Sequence, residues 1–232
     1  MENIELIKTA SDNALILSQD GLKRLVTKNL VPGIQVYGEK LVKVGNDEYR
    51  LWDPNRSKLA AIILKGSSIS LKKSCSVLYL GAANGTTASH VSDIVSLGAV
   101  FAVEFSPRAM HDLIRASIPR LNLIPILSDA MHPNSYRNMV SQVDFLYQDI
   151  AQREQARIAL RNAELFLKKN GILVLIIKSR SIDSARKSKE VIDNEVNKLE
   201  GFFKVMELID LEPYHSDHMA VVAQKIGPCS PV

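Results

Sequence analysis

Between residues 76 and 178, short apolar and β-branched runs alternate with longer stretches whose apolar positions recur at helical spacing. The runs SVLYL (76–80), AVFAVEF (99–105), LIPIL (123–127), VDFLYQD (143–149) and ILVLIIK (172–178) predict strands. The intervening stretches predict helices near 86–97, 107–116, 134–141 and 152–169. Such alternation implies βαβ units and a parallel sheet, and the unbroken apolar character of ILVLIIK suits a central strand covered on both faces. A last helix is expected near 186–200. Beyond it, FFKVMELIDL and HMAVVAQK, separated by EPYHSD, predict an antiparallel pair closing the sheet. The expected fold class is α/β, with a Rossmann-like, mostly parallel sheet and an antiparallel C-terminal strand.

The first 52 residues follow a different rhythm. Ile4, Leu6, Ala14 to Leu17, Ile34, Val36, Leu41, Val42 and Val44 fall in period-two or short apolar runs broken by SDN, QDG, VPG and GND, which predicts a small β domain. Asp53-Pro54 offers a helix cap followed by proline at the first helical position, so SKLAAIIL is expected in a helix over about 54–65. The division is therefore 1–52, a small β domain, and 53–232, the α/β domain.

Composition narrows the classes further. Of 232 residues, 46% are hydrophobic and 23% charged, which excludes disorder and a disulfide scaffold. Only two cysteines occur, Cys75 and Cys229, which points to a reducing compartment. No apolar run approaches the roughly 20 residues of a spanning helix, and MENIELIKTASD lacks the pattern of a signal peptide, so a soluble, membrane-free cytoplasmic protein is expected, nucleolar in a nucleated cell. The net charge of +4 is too small to establish a polyanion partner; the placement of the bases decides that question.

The candidate chemistry lies at strand ends. VLYL-GAANG-TTASHV joins a strand, a glycine loop and a helix start, with Gly81, Ala82 and Gly85 in the loop and Thr86 and Thr87 opening the helix. Ala83 stands where a dinucleotide fingerprint has its second glycine, so a smaller anion than a pyrophosphate suits the loop, unless it is simply a strand-to-helix turn. Glu104, nineteen residues beyond Gly85, either holds ribose hydroxyls or faces solvent. Asp129-Ala130 and the segment Asp149 to Gln152 follow the third and fourth strands. All four points lie at carboxyl ends of strands, where open α/β sheets bind ligands. Lys178 ends the fifth run, where it is expected close to Asp149 on the neighbouring strand, while Lys58 precedes the sheet and His218 opens the last strand.

Together these blocks resemble the fibrillarin family, the S-adenosylmethionine-dependent ribose 2′-O-methyltransferases of box C/D guide ribonucleoproteins. LYLGAANGTTASHVSDIV, AVEFSPR, IPILSDA, QDIAQ, IKSRSID and LEPYHSDH match its blocks in order over nearly the whole chain, and with no arginine-glycine arm ahead of the β domain the likeness is to the archaeal-type form. The resemblance implies a class I methyltransferase domain. It implies that Thr86, Thr87, Glu104, Phe105, Asp129, Ala130, Asp149 and Gln152 line the cofactor site, and that Lys58, Asp149, Lys178 and His218 form a catalytic tetrad. Tyr79 stands where many class I methyltransferases carry an acid. His218 stands where related ribose methyltransferases carry Glu, with His215 three residues earlier.

On this reading Lys178 orients or deprotonates the ribose hydroxyl, Asp149 holds Lys178 and the methyl end of the cofactor, and Lys58 and His218 tune charge and position the ribose. Arg56, Arg180, Arg186 and Lys187 are candidates for a phosphate-contacting rim, unless KSRSIDSARKSK is a solvated loop and helix start. Aromatic residues make up only 6% of the chain and none interleaves that run, so target choice is expected to come from elsewhere. The resemblance supplies the source: a guide RNA pairing with rRNA or tRNA targets, a Nop-family scaffold protein and a kink-turn-binding protein. The competing readings are a nicotinamide-dependent oxidoreductase, a catalytically silent particle subunit, and a methyltransferase with a protein or small-molecule acceptor.

Overall fold

The structure, a computed structural model, describes residues 4–183 and 187–228. Its first unit is a five-stranded antiparallel sheet made from β1 (Ile4–Lys8), β2 (Ala14–Gln19), β3 (Leu22–Lys28), β4 (Leu41–Val44) and β5 (Asp47–Leu51), in the order β1-β2-β3-β5-β4. The β2–β3 hairpin closes on Asp20-Gly21, both at positive φ, the two-residue geometry whose twist matches that of the paired strands.

The helix expected from residue 54 starts later, as α1 (Lys58–Leu64). Its cap is Ser57, whose hydroxyl accepts the Ala60 N–H, whereas the Asp53 carboxylate is taken by the N–H of Asn55 in a local turn. The second sheet then builds from β6 (Ser76–Leu80), α2 (Thr86–Ile94), β7 (Ala99–Glu104), α3 (Pro107–Ser117), β8 (Leu123–Leu127), β9 (Val143–Gln148), α4 (Gln155–Phe166), β10 (Leu167–Lys178), α5 (Ser179–Ile182), α6 (Ser188–Asn197), β11 (Phe203–Asp210) and β12 (His218–Lys225). Its order is β11-β12-β10-β9-β6-β7-β8, parallel from β10 to β8, with β12 antiparallel to both neighbours.

Three further expectations change. The helix near 134–141 is a single 3-10 turn, Pro133–Tyr136, which seats Tyr136 on Phe166 and bonds its hydroxyl to Asn162. The helix near 152–169 is shorter, because the chain passes from α4 directly into β10. That strand begins at Leu167 and carries an irregularity before Ile172. The last helix spans only Ser188–Asn197 within the expected 186–200, and Arg186 and Cys229 lie outside the described residues.

Period two along the strands divides the core. Val77 and Tyr79 face the layer with α1, α2 and α3, while Leu78 and Leu80 face the layer with α4 and α6. The chain runs outward from β6 to β7 and β8, then crosses back to place β9 on the other side of β6. This reversal opens a crevice at the carboxyl ends of β6 and β9, the position where such sheets take ligands.

The two sheets are joined by buried charge. Arg50 of β5 is fully buried; its Nη1 donates to Asp93 Oδ2 at 2.7 Å, its Nε to Glu39 Oε1 at 2.6 Å and its Nη2 to Ser89 Oγ at 3.0 Å. Asp93, on α2, also accepts from Thr27 Oγ1 at 2.9 Å and from the Leu30 N–H at 3.1 Å. His90, one turn earlier, stacks on Trp52 with ring centres 4.8 Å apart and lies 2.7 Å from both Thr27 Oγ1 and the Tyr37 hydroxyl.

Candidate functional site

Gly81, directly after β6, takes φ +82°, and a Cβ there would lie 2.2 Å from the carbonyl oxygen of Asp149, so only glycine lets the loops after β6 and β9 approach this closely. Ala83 also takes a positive φ of 47°, and its N–H donates to Glu104 Oε2 at 2.9 Å. Glu104 accepts a second N–H, from Ser106, at 2.8 Å, so its carboxylate ties the loop after β6 to the loop after β7.

These loops enclose a cavity of about 340 Å3, lined by Gly81, Ala83, Val103, Glu104, Phe105, Ser128, Asp129, Ala130, Asp149, Ile150, Ala151 and Gln152. That volume suits a nucleoside-sized ligand. Phe105 is 69% exposed at the edge, an apolar residue beside Glu104 and Asp129. Seven of the expected cofactor residues therefore come together: Gly81, Glu104, Phe105, Asp129, Ala130, Asp149 and Gln152.

Ala82, Gly85, Thr86 and Thr87 do not line this cavity. Ala82 is buried under the loop, and Gly85, at φ +85°, packs its backbone against Leu113 and Ala116 of α3. Thr86 faces a separate hollow shared with Asn84 and Arg115, and Thr87 donates its hydroxyl to Ser57 Oγ at 2.9 Å. Their contribution to the cavity is indirect, through the position of the turn and of α2.

The proposed catalytic residues converge from three directions. Lys58, first residue of α1, places Nζ 2.7 Å from Asp149 Oδ2. Lys178, last residue of β10, is the register partner of His218 at the start of β12. The expected pairing of Lys178 with Asp149 is not formed. Leu175 pairs with Gln148, so Lys178 lies two residues beyond the level of Asp149, roughly 7 Å along the strand, and the carboxylate is taken by Lys58 instead.

The two histidines are distinguished by their hydrogen bonds. His218 Nδ1 lies 2.6 Å from the Ser216 carbonyl, which can only accept, so Nδ1 carries the proton and Nε2 keeps its lone pair. His215 uses its Nε2–H on the Pro54 carbonyl at 2.8 Å. Burial pushes both imidazoles below their ordinary pKa; around His218, the charges of Lys58 and Lys178 act in the same direction, against the Ser216 carbonyl and Asp149. With one proton on each ring, both histidines keep a lone pair, His218 on Nε2 and His215 on Nδ1.

Sequence reasoning missed what lies beneath this set. Tyr79 and Tyr147 are register partners on β6 and β9, their rings 4.7 Å apart and their hydroxyls pushed to higher pKa by burial. The signal was a tyrosine near the end of each of two otherwise apolar strands. Ser57, which caps the helix bearing Lys58 and meets Thr87, had no comparable signature. Of the rim candidates, Arg56 lies over the Tyr37 ring at 5.6 Å and Lys187 is exposed at the start of α6. Arg180 Nε is engaged with Asp217 Oδ2 at 2.8 Å, so its charge is partly neutralised.

The Fibrillarin family model matches residues 7–226. The fibrillarin-like rRNA/tRNA 2′-O-methyltransferase of Methanosarcina barkeri is 54% identical over 222 residues, covering 94% of this chain and 98% of its own length. The fibrillarin of Aeropyrum pernix, solved with natively bound S-adenosyl-L-methionine, superposes with a TM-score of 0.86 at 42% identity over 96% of this chain and all of the other. A fibrillarin solved in a fibrillarin/Nop5p complex superposes with a TM-score of 0.82 at 46% identity, covering 88% of this chain and 94% of its own. To a glycine loop at the reversal of strand order, acids at successive strand ends, a Lys58–Asp149 pair and the half-buried His218 is added a likeness over nearly the whole chain, and the chain belongs to the fibrillarin family.

Proposed function

We propose that this protein methylates ribose 2′-hydroxyls of rRNA and tRNA with S-adenosylmethionine, as the catalytic subunit of a box C/D guide ribonucleoprotein. The observation that carries the proposal is the convergence of Lys58, Asp149, Lys178 and His218 at the mouth of a cavity whose walls suit a nucleoside. Family membership supports it: the Methanosarcina barkeri relative is named for this reaction, the Aeropyrum pernix fibrillarin binds the cofactor, and a related fibrillarin assembles with Nop5p. A Nop-family scaffold is accordingly the inferred protein partner, with a guide RNA and a kink-turn-binding protein completing the particle.

The residues present fit the cofactor. All four being walls of one cavity, Glu104 would take the cofactor's ribose hydroxyls, Phe105 the adenine face, Asp129 the adenine amino group and Asp149 the end nearest Lys58. When bound, S-adenosylmethionine supplies an electrophilic methyl group on a sulfonium centre. A ribose hydroxyl is a weak nucleophile, so the protein's task is alignment and proton removal. Lys178 would orient the 2′-hydroxyl and take its proton as the oxygen gains the methyl carbon and that carbon's bond to sulfur breaks, the sulfur leaving as the thioether. Asp149 and Lys58 hold each other and so fix the cavity mouth against the incoming ribose. His218, neutral and with Nε2 available, accepts a hydrogen bond from the sugar.

The test is transfer of a labelled methyl group in the reconstituted particle to a guide-matched RNA and to the same RNA with a 2′-deoxy target. Label on the ribose form alone is expected. Lys178→Ala is expected to lower transfer at least about 100-fold while leaving cofactor binding intact. Full transfer by that variant would remove Lys178 from the mechanism, and label on protein rather than RNA would replace the acceptor.

A further inference from the structure

Asp149 and Lys178 sit on separate pieces of backbone. Asp149 lies in the loop after β9, at the end of the cavity nearest Lys58, and Lys178 ends β10. The ladder between these strands stops at the Leu175–Gln148 pair, short of both residues, and the Asp149 N–H turns to the Leu80 carbonyl of β6, on the other side of β9. One side chain bridges the gap. Gln155, the first residue of α4, is fully buried; its Nε2 donates to the Ile150 carbonyl at 2.8 Å, and its Oε1 accepts the Lys178 N–H at 3.2 Å. A carbonyl can only accept and a backbone N–H can only donate, so this amide has a single orientation.

Gln155 is itself held in place. Its carbonyl accepts from Gln148 Nε2 at 2.7 Å, and the next N–H, of Ala156, is taken at 2.7 Å by the buried carboxylate of Glu195 on α6. Any other rotamer of Gln155 would strand a buried donor or acceptor, so the link is stiff. Ile150 is a wall of the cavity, whereas Gln155 is not, and Asp149 bonds to Lys58, so no direct contact with Lys178 sets the spacing of the two. We infer that Gln155 is a positioning residue for methyl transfer: its amide fixes the end of β10, and with it Lys178, against the loop that carries Asp149 and Ile150. The inference rests on the proposed activity, since it takes Lys178 as the group that handles the ribose hydroxyl. Alignment is where such a link acts, because misplacing a reacting group by about 1 Å can cost about 100-fold in rate.

The experiment is a double-mutant cycle between Gln155 and Lys178, read as single-turnover transfer of a labelled methyl group in the reconstituted particle. Gln155→Met keeps the length and bulk of the side chain and removes both hydrogen bonds. It is expected to lower the rate about 10- to 100-fold in the otherwise native chain, yet less than about threefold in a Lys178→Ala chain, because a lysine that is gone cannot be misplaced. Equal losses in the two backgrounds would make Gln155 a structural brace only, and no loss in the native background would make the link idle; either overturns the assignment. Thermal unfolding checks each variant, and should Gln155→Met fail to fold, Gln155→Glu carries the test. A protonated carboxyl remakes both bonds, whereas an ionised one sets a negative oxygen against the Ile150 carbonyl. Its rate relative to the native chain is therefore expected to fall several-fold from pH 6 to pH 9, and its rate relative to Lys178→Ala to stay level in that background. A ratio independent of pH in both backgrounds, or the same fall in both, again overturns the assignment. Full transfer by Lys178→Ala would remove the proposed role of Lys178 and this inference together; an impaired Lys178→Ala without coupling removes this inference alone.

Discussion

At Gly81 one missing methyl group holds two loops together. A Cβ would meet the Asp149 carbonyl at 2.2 Å in a backbone conformation that side chains rarely take. Gly81→Ala is therefore expected to cost about 3 kcal/mol of stability and to abolish measurable cofactor binding in calorimetry, since relief of the clash must move Asp149. His90 gives a second prediction at this scale. Burial first, then the charges of Arg50 and Arg120, hold its pKa well below 6.5 in the folded protein, and His215 and His218 are shifted in the same direction. Below about pH 6.5 the unfolded chain therefore binds protons that the folded chain does not. Stability is full above that pH and falls as pH drops through the window down to the lowered folded values. Urea midpoints at pH 8, 6.5 and 5.5 should decline slightly over the first interval and more steeply over the last; a flat profile would show that these rings stay accessible to protons.

At the scale of elements, position matters more than extent. Strands β6 and β8 have the bounds their runs suggested, because short, mostly apolar runs between turn signals leave little choice of register. The start of α1 was displaced from 54 to 58, and the difference is functional: it makes Lys58 the first helical residue and directs its amine to Asp149. Proline at position 54 is compatible with a helix start, yet the Ser57 hydroxyl accepts the Ala60 N–H while meeting Thr87, an interaction across 30 residues of chain that no local pattern reveals. Ser57→Ala is expected to destabilise the fold by about 1 kcal/mol in thermal unfolding and to reduce methyl transfer by loosening Lys58; Ser57→Thr should restore part of both.

At the scale of the molecule, the N-terminal sheet is bound to the α/β sheet by the Arg50–Asp93 pair and its satisfied partners, not by apolar packing alone. Arg50→Ala leaves the Asp93 carboxylate buried with much of its compensation gone, and is expected to cost about 3–5 kcal/mol. Chemical unfolding followed at Trp52, which stacks on His90 at this boundary, would report it, and an unchanged midpoint would mean the pair is idle. The division at residue 52 accordingly remains a proposal about chain organisation: the buried charges predict that 53–232 expressed alone would be far less stable than the whole.

The chain alone determined the α/β class, the order and approximate bounds of the sheet strands, and the strand-end positions of Glu104, Asp129 and Asp149, because these follow from local periodicity and from rules linking consecutive elements. The family blocks extended that legibility to Lys58, Lys178 and His218. Tertiary structure decided the rest. It gave Asp149 to Lys58 instead of Lys178, because the strand register sets how far each side chain projects past the sheet edge. It tied His215 to the Pro54 carbonyl, 161 residues away in sequence, and set His218 beside Lys178 across β12 and β10, a difference between the two histidines that their spacing does not show. It also withdrew Thr86 and Thr87 from the cavity wall. The Asp149 and Thr87 outcomes depend on groups distant in sequence meeting in one ion pair or one hydrogen bond, which is settled only when the folded chain brings them within reach.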